Sequence, residues 1–404
     1  QEFVPDPTLL FTTVNGTRWL SAAHECEWQG VTCFLEELRN DLEEQYHFCL
    51  FGVQRLVFEG TGMTGTWPTM LNLIPCLNEF EIHAQPGITG TIPDDFFNFK
   101  SIPDDPDDFG LLQRLGISEN PGITGTIPDT VFNNEFMIRF WLGDMGGLSP
   151  GGVPQEWQKF TLLNELFVYG FDEDMNITFP SDLSPFLSDL RVYRNEKMGT
   201  IPASIGELPN LRVLYAYQSG LTGSIPSTFA NENPNLQELR LWRNELTGPL
   251  PDALWPNLYQ LEMYTNQLTG HLPPRMDQWT SLSQVQIDQN QLSGTIDPAL
   301  ATAWKDHLLW FVASDNQFTG PIPSTFSECT QLQALHLSLN NFTDDFPFEI
   351  CQLRSRDGLQ FIHADCLGYP PQNDCRCCTT CCNPAFETCQ RDFVERRNLR
   401  GLTY

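Results

Sequence analysis

The 404-residue sequence predicts an α/β fold of solenoid type, a leucine-rich-repeat array sealed at both ends by disulfides. Three observations predict it. First, the phrase L-x-x-L-x-L-x-x-N-x-L-T-G-x-I-P recurs every 22 to 25 residues between Asn195 and Asn266. Self-similarity at that period marks a stacked array in which each repeat adds one short strand to a curved parallel sheet. Second, apolar residues at positions 4 and 6 of each phrase alternate with polar ones, the period of a strand with one buried face. Third, the 13 cysteines cluster near the two ends and leave the middle bare.

The chain divides into residues 1–52 as an N-terminal cap, 53–350 as about 12 repeats, and 351–404 as a last degenerate repeat and cysteine-rich cap. The repeats start at Val53, Leu77, Leu112, Met137, Leu163, Leu187, Leu211, Leu236, Leu258, Leu282, Leu308 and Leu332, with a degenerate one near Leu359. Position 9 is Asn120, Asn195, Asn244, Asn266, Asn290, Asn316 and Asn340, where a buried amide can satisfy neighbouring backbone groups. The endings at Thr89-Gly90, Thr124-Gly125, Thr222-Gly223 and Thr319-Gly320 pair a glycine that permits a bend with a proline that stops sheet pairing. The repeats from Met137 and Leu163 are irregular, with Met145 and Phe171 in place of Asn.

In the cap, Cys26-Glu-Trp28-Gln-Gly30-Val31-Thr-Cys33 gives C-x-W-x-G-V-x-C. Together with the T-G-x-I-P endings, it resembles the plant-type extracellular leucine-rich-repeat family of receptor-like ectodomains and secreted proteins. The resemblance runs from about Trp19 to Asn340. It implies a concave sheet, 3-10 and loop segments on the convex side, a Cys26–Cys33 bridge, and ligand recognition as the function. Residues Glu36 to Phe48 depart from that cap and read as a helical insertion. Cys49 with Cys76 is the economical second pair. The tail Cys366 to Cys382, with Cys377-Cys378-Thr-Thr-Cys381-Cys382, is similar to the endings of leucine-rich-repeat proteins from diatoms and related algae. Its C-C-x-x-C-C order also suits zinc, but an oxidising compartment favours a disulfide knot. Cys351 is expected to join Cys366 or Cys329, and an odd total leaves one thiol free or intermolecular.

Net charge is −29, which excludes nucleic acid as a natural partner. No run of 18 apolar residues offers a transmembrane helix, so a membrane anchor or a kinase belongs outside this stretch. The cysteines and the sequons at Asn15, Asn176 and Asn341 predict an extracellular glycoprotein, secreted or at the cell surface. Catalytic patterns are lacking. Gly147-Leu-Ser149-Pro-Gly151 fits G-x-S-x-G, but it falls on repeat grammar rather than on a strand–helix elbow. The acidic stretch Ser101 to Phe109 lacks the ligand order of a calcium loop, and the histidines lack metal spacing. No enzyme activity, cofactor or metal is expected.

Function must then sit on strand positions the repeat leaves free. Position 7 carries rings in five consecutive repeats: Tyr169, Tyr193, Tyr217, Trp242 and Tyr264. At a strand spacing of about 4.8 Å they predict a ladder of roughly 20 Å. Tyr215 stands beside it at position 5, with Arg191 and Arg240 at position 5 and Arg194 and Arg243 at position 8. Aromatics also suit strands for packing alone, but an exposed stripe of Tyr, Trp and Arg marks an interaction site. The expected partner is a peptide or protein held along the ladder, its anionic group forked by arginines; an acidic glycan stacked on the rings is the alternative. A secreted inhibitor similar to polygalacturonase-inhibiting proteins, or an adhesive matrix protein, are the competing functions.

Overall fold

The computed structural model describes residues 31–33, 53–67, 77–98, 112–229, 233–354, 358–367, 374–385 and 387–391. The insertion at 36–48, the acidic stretch at 101–109, the Asn15 sequon, and the side chains of Cys26, Cys33, Cys49 and Cys76 lie outside them. The chain forms two compact units, Gln1–Met198 and Gly199–Tyr404.

In the first unit, β1 (Val31–Cys33) pairs antiparallel with β2 (Val53–Glu59). Parallel strands follow in chain order: β3 (Glu79–His83), β4 (Arg114–Ser118), β5 (Arg139–Gly143), β6 (Glu165–Tyr169) and β7 (Asp189–Arg191). In the second unit, β8 (Val213–Tyr215), β9 (Glu238–Arg240), β10 (Gln260–Glu262), β11 (Gln284–Gln286), β12 (Trp310–Val312) and β13 (Ala334–His336) continue the same parallel order. The degenerate repeat supplies β14 (Phe361–Ala364), and β15 (Thr380–Asn383) extends the sheet. An antiparallel β16 (Thr388–Arg391) closes it.

Each described repeat start is buried, from Leu77 at 1% to Leu359 at 3% exposure. Large rings, Trp157, Phe160, Trp255, Trp279 and Trp304 among them, are buried in the same cores. Short 3-10 turns such as Ala203–Glu207 and Pro274–Gln278 carry the chain back, and Pro298–Trp304 is a helical version, capped by Asp297. A second, outer set of two- to four-residue strands is built from the T-G phrase, running from Gly199–Thr200 to Asn341–Phe342 in the second unit. The G-x-S-x-G match lies on this outer side. Ser149 N–H donates to Gly125 carbonyl, Leu148 bridges Gly125, and no strand–helix elbow surrounds it.

The asparagines behave as the repeat requires. Asn266 Nδ2 donates to the carbonyls of Leu241 (3.0 Å) and Met263 (3.1 Å), while its Oδ1 accepts from Leu246 N–H at 3.1 Å. Asn316 and Asn340 repeat the pattern. Where Asn is missing, Met145 and Phe171 fill the space with apolar bulk, 0% and 3% exposed.

The C-terminal cysteines correct one expectation. Cys351 bonds neither Cys366 nor Cys329; it bonds Cys377, and Cys366 bonds Cys381. The reason is sheet register. β14 runs parallel to β15 with Ala364 beside Cys381, which brings Cys366 within 4.9 Å (Cα–Cα) of that residue. Cys375–Cys378 and Cys382–Cys389 complete the knot, so the C-C-x-x-C-C sulfurs are consumed as disulfides. Cys329 is the free thiol among the described residues, fully buried and hydrogen-bonded to Ala301 carbonyl.

Candidate binding surface

Positions 3, 5 and 7 of the strands point away from the core and make the open face of each unit's sheet. In the first unit, position 3 is an ionic row. Arg55 Nε meets Glu79 at 2.8 Å, Arg114 shares the same carboxylate at 3.3 Å, and Arg139 meets Glu165 at 2.7 Å. The Glu165 hydrogen bond raises the Arg139 pKa. Burial works against the Glu81 carboxylate, but His83 and then Arg139 outweigh it and hold the group below its usual range. The row Arg55, Glu79, Arg114, Arg139, Glu165, Asp189 at position 3 of successive repeats is legible in the sequence as charges of mixed sign.

Tyr169 lies deeper than its position suggested. It is 7% exposed, its ring is laid across Gly143, and its hydroxyl accepts from Trp141 Nε1 at 2.9 Å. A Cβ on Gly143 would meet that ring at 2.5 Å, so glycine is what lets the ring fold down. Tyr193 stacks on it at 4.7 Å and 12°. Arg191 is occupied: it forks Asp189 at 2.9 and 2.8 Å and lies over the Phe167 ring at 4.8 Å. Arg194 is exposed and reaches Asp144 at 3.3 Å.

The second unit carries the more open rings. Tyr217 and Trp242 stack at 4.3 Å and 5°, and Trp242 and Tyr264 at 5.2 Å and 7°. All three are part-exposed. Rings stacked along the strand-to-strand direction turn their edges outward and spend their faces on one another. Tyr215 lies beside Tyr217 at 6.4 Å and beneath Arg240, whose guanidinium is 4.4 Å from its centroid. Arg240 also donates to Glu238 (3.0 Å) and to Gln260 (2.9 Å). Tyr215 and Tyr259 hydroxyls donate to the same Glu238 carboxylate. Burial opposes that charge, yet the two hydroxyls and Arg240 lower the Glu238 pKa, while burial and Glu238 push Tyr259 up to about 12. Arg243 differs. It is exposed, sits 5.6 Å over Trp242, and makes no ion pair among the described residues.

Three of the four arginines are therefore paired with acids of this chain, Arg191 and Arg240 within their own repeats and Arg194 across to Asp144, rather than standing free as a fork for an anionic group. The row beyond Tyr264 falls to small side chains, Asp288, Ser314 and Ser338, the last two 3.2 Å apart. Among the described residues no group of three or more His, Cys, Asp or Glu could hold a metal ion, and no helix is long and apolar enough to cross a membrane.

The Leucine Rich Repeat family description matches residues 235–256, the repeat that carries Arg240, Trp242 and Arg243. No curated protein matches the chain in sequence. Solved structures do. A TDR receptor is similar at 25% identity and a TM-score of 0.63, over 74% of this chain and 49% of its own. The PEPR1–AtPEP1 complex matches at 24% and 0.64, over 87% and 45%. The Arabidopsis receptor kinase HAESA, in complex with the peptide hormone IDA and the co-receptor SERK1, matches at 22% and 0.64, over 82% and 55%. This chain has the fold of a leucine-rich-repeat solenoid. It spans about half the length of the receptor chains it matches. The sequon asparagines Asn176 and Asn341 are both exposed.

Proposed function

We propose that this protein is an extracellular recognition module, a receptor-like ectodomain that binds a peptide or protein segment on the open face of its second unit. The carrying observation is the part-exposed stack of Tyr217, Trp242 and Tyr264, with Arg243 over Trp242 and in no ion pair among the described residues. Such a stack is rigid before binding, so little side-chain entropy is lost when a ligand docks. Its outward edges and hydroxyls suit an extended peptide, whose backbone offers donors and acceptors. A sugar ring stacks on an aromatic face, and here the faces between neighbours are already used, which supports the peptide over the acidic glycan. Ligands held by homologous folds include peptide hormones, as with HAESA and IDA, and this favours the same class. A binding screen of peptide and acidic-glycan libraries against the wild type and a Tyr217→Ala/Trp242→Ala variant tests the proposal. Binders should be peptides and should lose at least tenfold in affinity on the variant, a hot-spot loss. Binders that ignore the double substitution would place recognition elsewhere.

A further inference from the structure

The ring stack ends asymmetrically. One face of Tyr264 lies against Trp242. No other ring among the described residues covers its opposite face, which looks along the row to the next strand. There the position-7 residue is Asp288, in register with Tyr264, as the Thr265 N–H to Asp288 carbonyl bond at 3.0 Å shows. The Asp288 side chain is part-buried and makes no ion pair among the described residues. Past it stand Ser314 and Ser338, too short to fill the space that large rings occupy earlier in the row.

The charged groups named around Asp288 are both acidic, Glu262 and Asp315. From β10 and its turn come Tyr264, Glu262 and Thr265; from its own repeat come Gln286 and Gln289; from β12 and its turn come Ser314 and Asp315. Thr265 hydroxyl donates to Gln289 Oε1 at 2.6 Å, and neither group carries a charge that could neutralise the carboxylate. Arg243 lies over Trp242, one strand beyond Tyr264 from Asp288. Burial and then the Asp315 charge push the Asp288 carboxyl up to about 6, as expected for an acid lacking a cation.

We propose that the uncovered face of Tyr264 and the Asp288 carboxylate form a subsite for a basic side chain, guanidinium or ammonium, of the peptide that the ring stack holds. This rests on the peptide-binding reading above. A cation placed there gains both the π-face, which no second ring covers among the described residues, and the charge, which has no ion pair among them. The subsite also makes binding pH-sensitive. Asp288 must be ionised to hold a cation, so affinity is full above pH 7 and falls as pH drops through about 6.

Acetyl-Gly-Arg-Gly-amide and acetyl-Gly-Glu-Gly-amide, titrated into the whole chain by NMR or calorimetry at pH 7.5 and pH 5, provide the test. The arginine tripeptide should bind saturably and the glutamate one should not. Asp288→Asn and Tyr264→Ala should each weaken it about tenfold, a size typical of a desolvated cation–π or charge contact. In the wild type, affinity should fall about tenfold from pH 7.5 to pH 5, following the ionised fraction of a group near 6, and Asp288→Asn should be flat. Equal binding of both tripeptides, no saturable arginine binding, or a wild-type pH profile unchanged in Asp288→Asn would overturn the subsite. The two proposals fail separately. Library peptides lost on Trp242→Ala but kept on Asp288→Asn, without basic bias, sink only the subsite; peptides that survive Trp242→Ala sink the stack.

Discussion

At the scale of single residues, two kinds of polar group bear opposite costs. The ladder asparagines are buried or part-buried, and their amides are hydrogen-bonded to the backbone. Asn316 Nδ2 serves the carbonyls of Ile287 and Ala313, and its Oδ1 takes Leu292 N–H, at 9% exposure. Asn316→Ala strands those groups without water, so chemical denaturation should show a loss of about 2–4 kcal/mol. Asp288 is the reverse case. Its folded pKa of about 6 lies above its ordinary value of 3.8, so the folded state binds the extra proton between those limits. The charge therefore costs stability above pH 6 and nothing below about pH 4. Asp288→Asn should raise Tm at pH 7.5, on the order of 1–2 kcal/mol after allowing for its partial exposure, and the gain should vanish at pH 4. A gain that persisted unchanged at pH 4 would rule out ionisation as its cause.

At the scale of the element, every repeat turns at position 8. The residue there has a left-handed backbone in Ala84, Glu119, Asp144, Arg194, Gln218, Arg243, Thr265, Gln289, Asp315 and Leu339, with φ between 48° and 57°, and Gly60 and Gly170 take the same place. This turn ends the strand and aims the Asn at position 9 into the core. Only glycine adopts it without strain, and a non-glycine residue costs about 1–2 kcal/mol. Leu339→Gly, with φ of 57°, should then stabilise by about 0.5–1 kcal/mol after glycine's own entropic cost, measured as a rise in denaturation midpoint. Gly170→Ala should destabilise, because a Cβ there meets the Asp144 carboxylate at 2.1 Å.

The same turn explains what the sequence could and could not tell. Leucine, asparagine, glycine and proline spacing reveals strand, core and turn, because each answers to a local backbone demand. The arginines at positions 5 and 8 were legible as a cluster, but not their partners. Asp189, Glu238 and Asp144 lie two residues away, or fifty, and only folding shows that they neutralise Arg191, Arg240 and Arg194. Tyr169 was legible as a ring of the ladder, but Gly143 on the neighbouring strand decided that it would lie down.

At the scale of the whole molecule, the array needs sealing where its last repeat has no neighbour. Cys351–Cys377 closes 26 residues over that end. Replacing both with Ser should cost about 3 kcal/mol by loop-closure entropy and lower the Tm of the second unit. The pairing escaped the sequence because cysteine spacing alone does not fix connectivity, whereas the β14–β15 register does.

Hydrogen–deuterium exchange with a peptide selected from the library reads directly whether ligand meets the ring stack of the second unit. Bound peptide should slow exchange at Glu238–Arg240, Gln260–Glu262 and the turns that follow them. Protection confined to the outer T-G strands, or to the ionic row of the first unit, would contradict it.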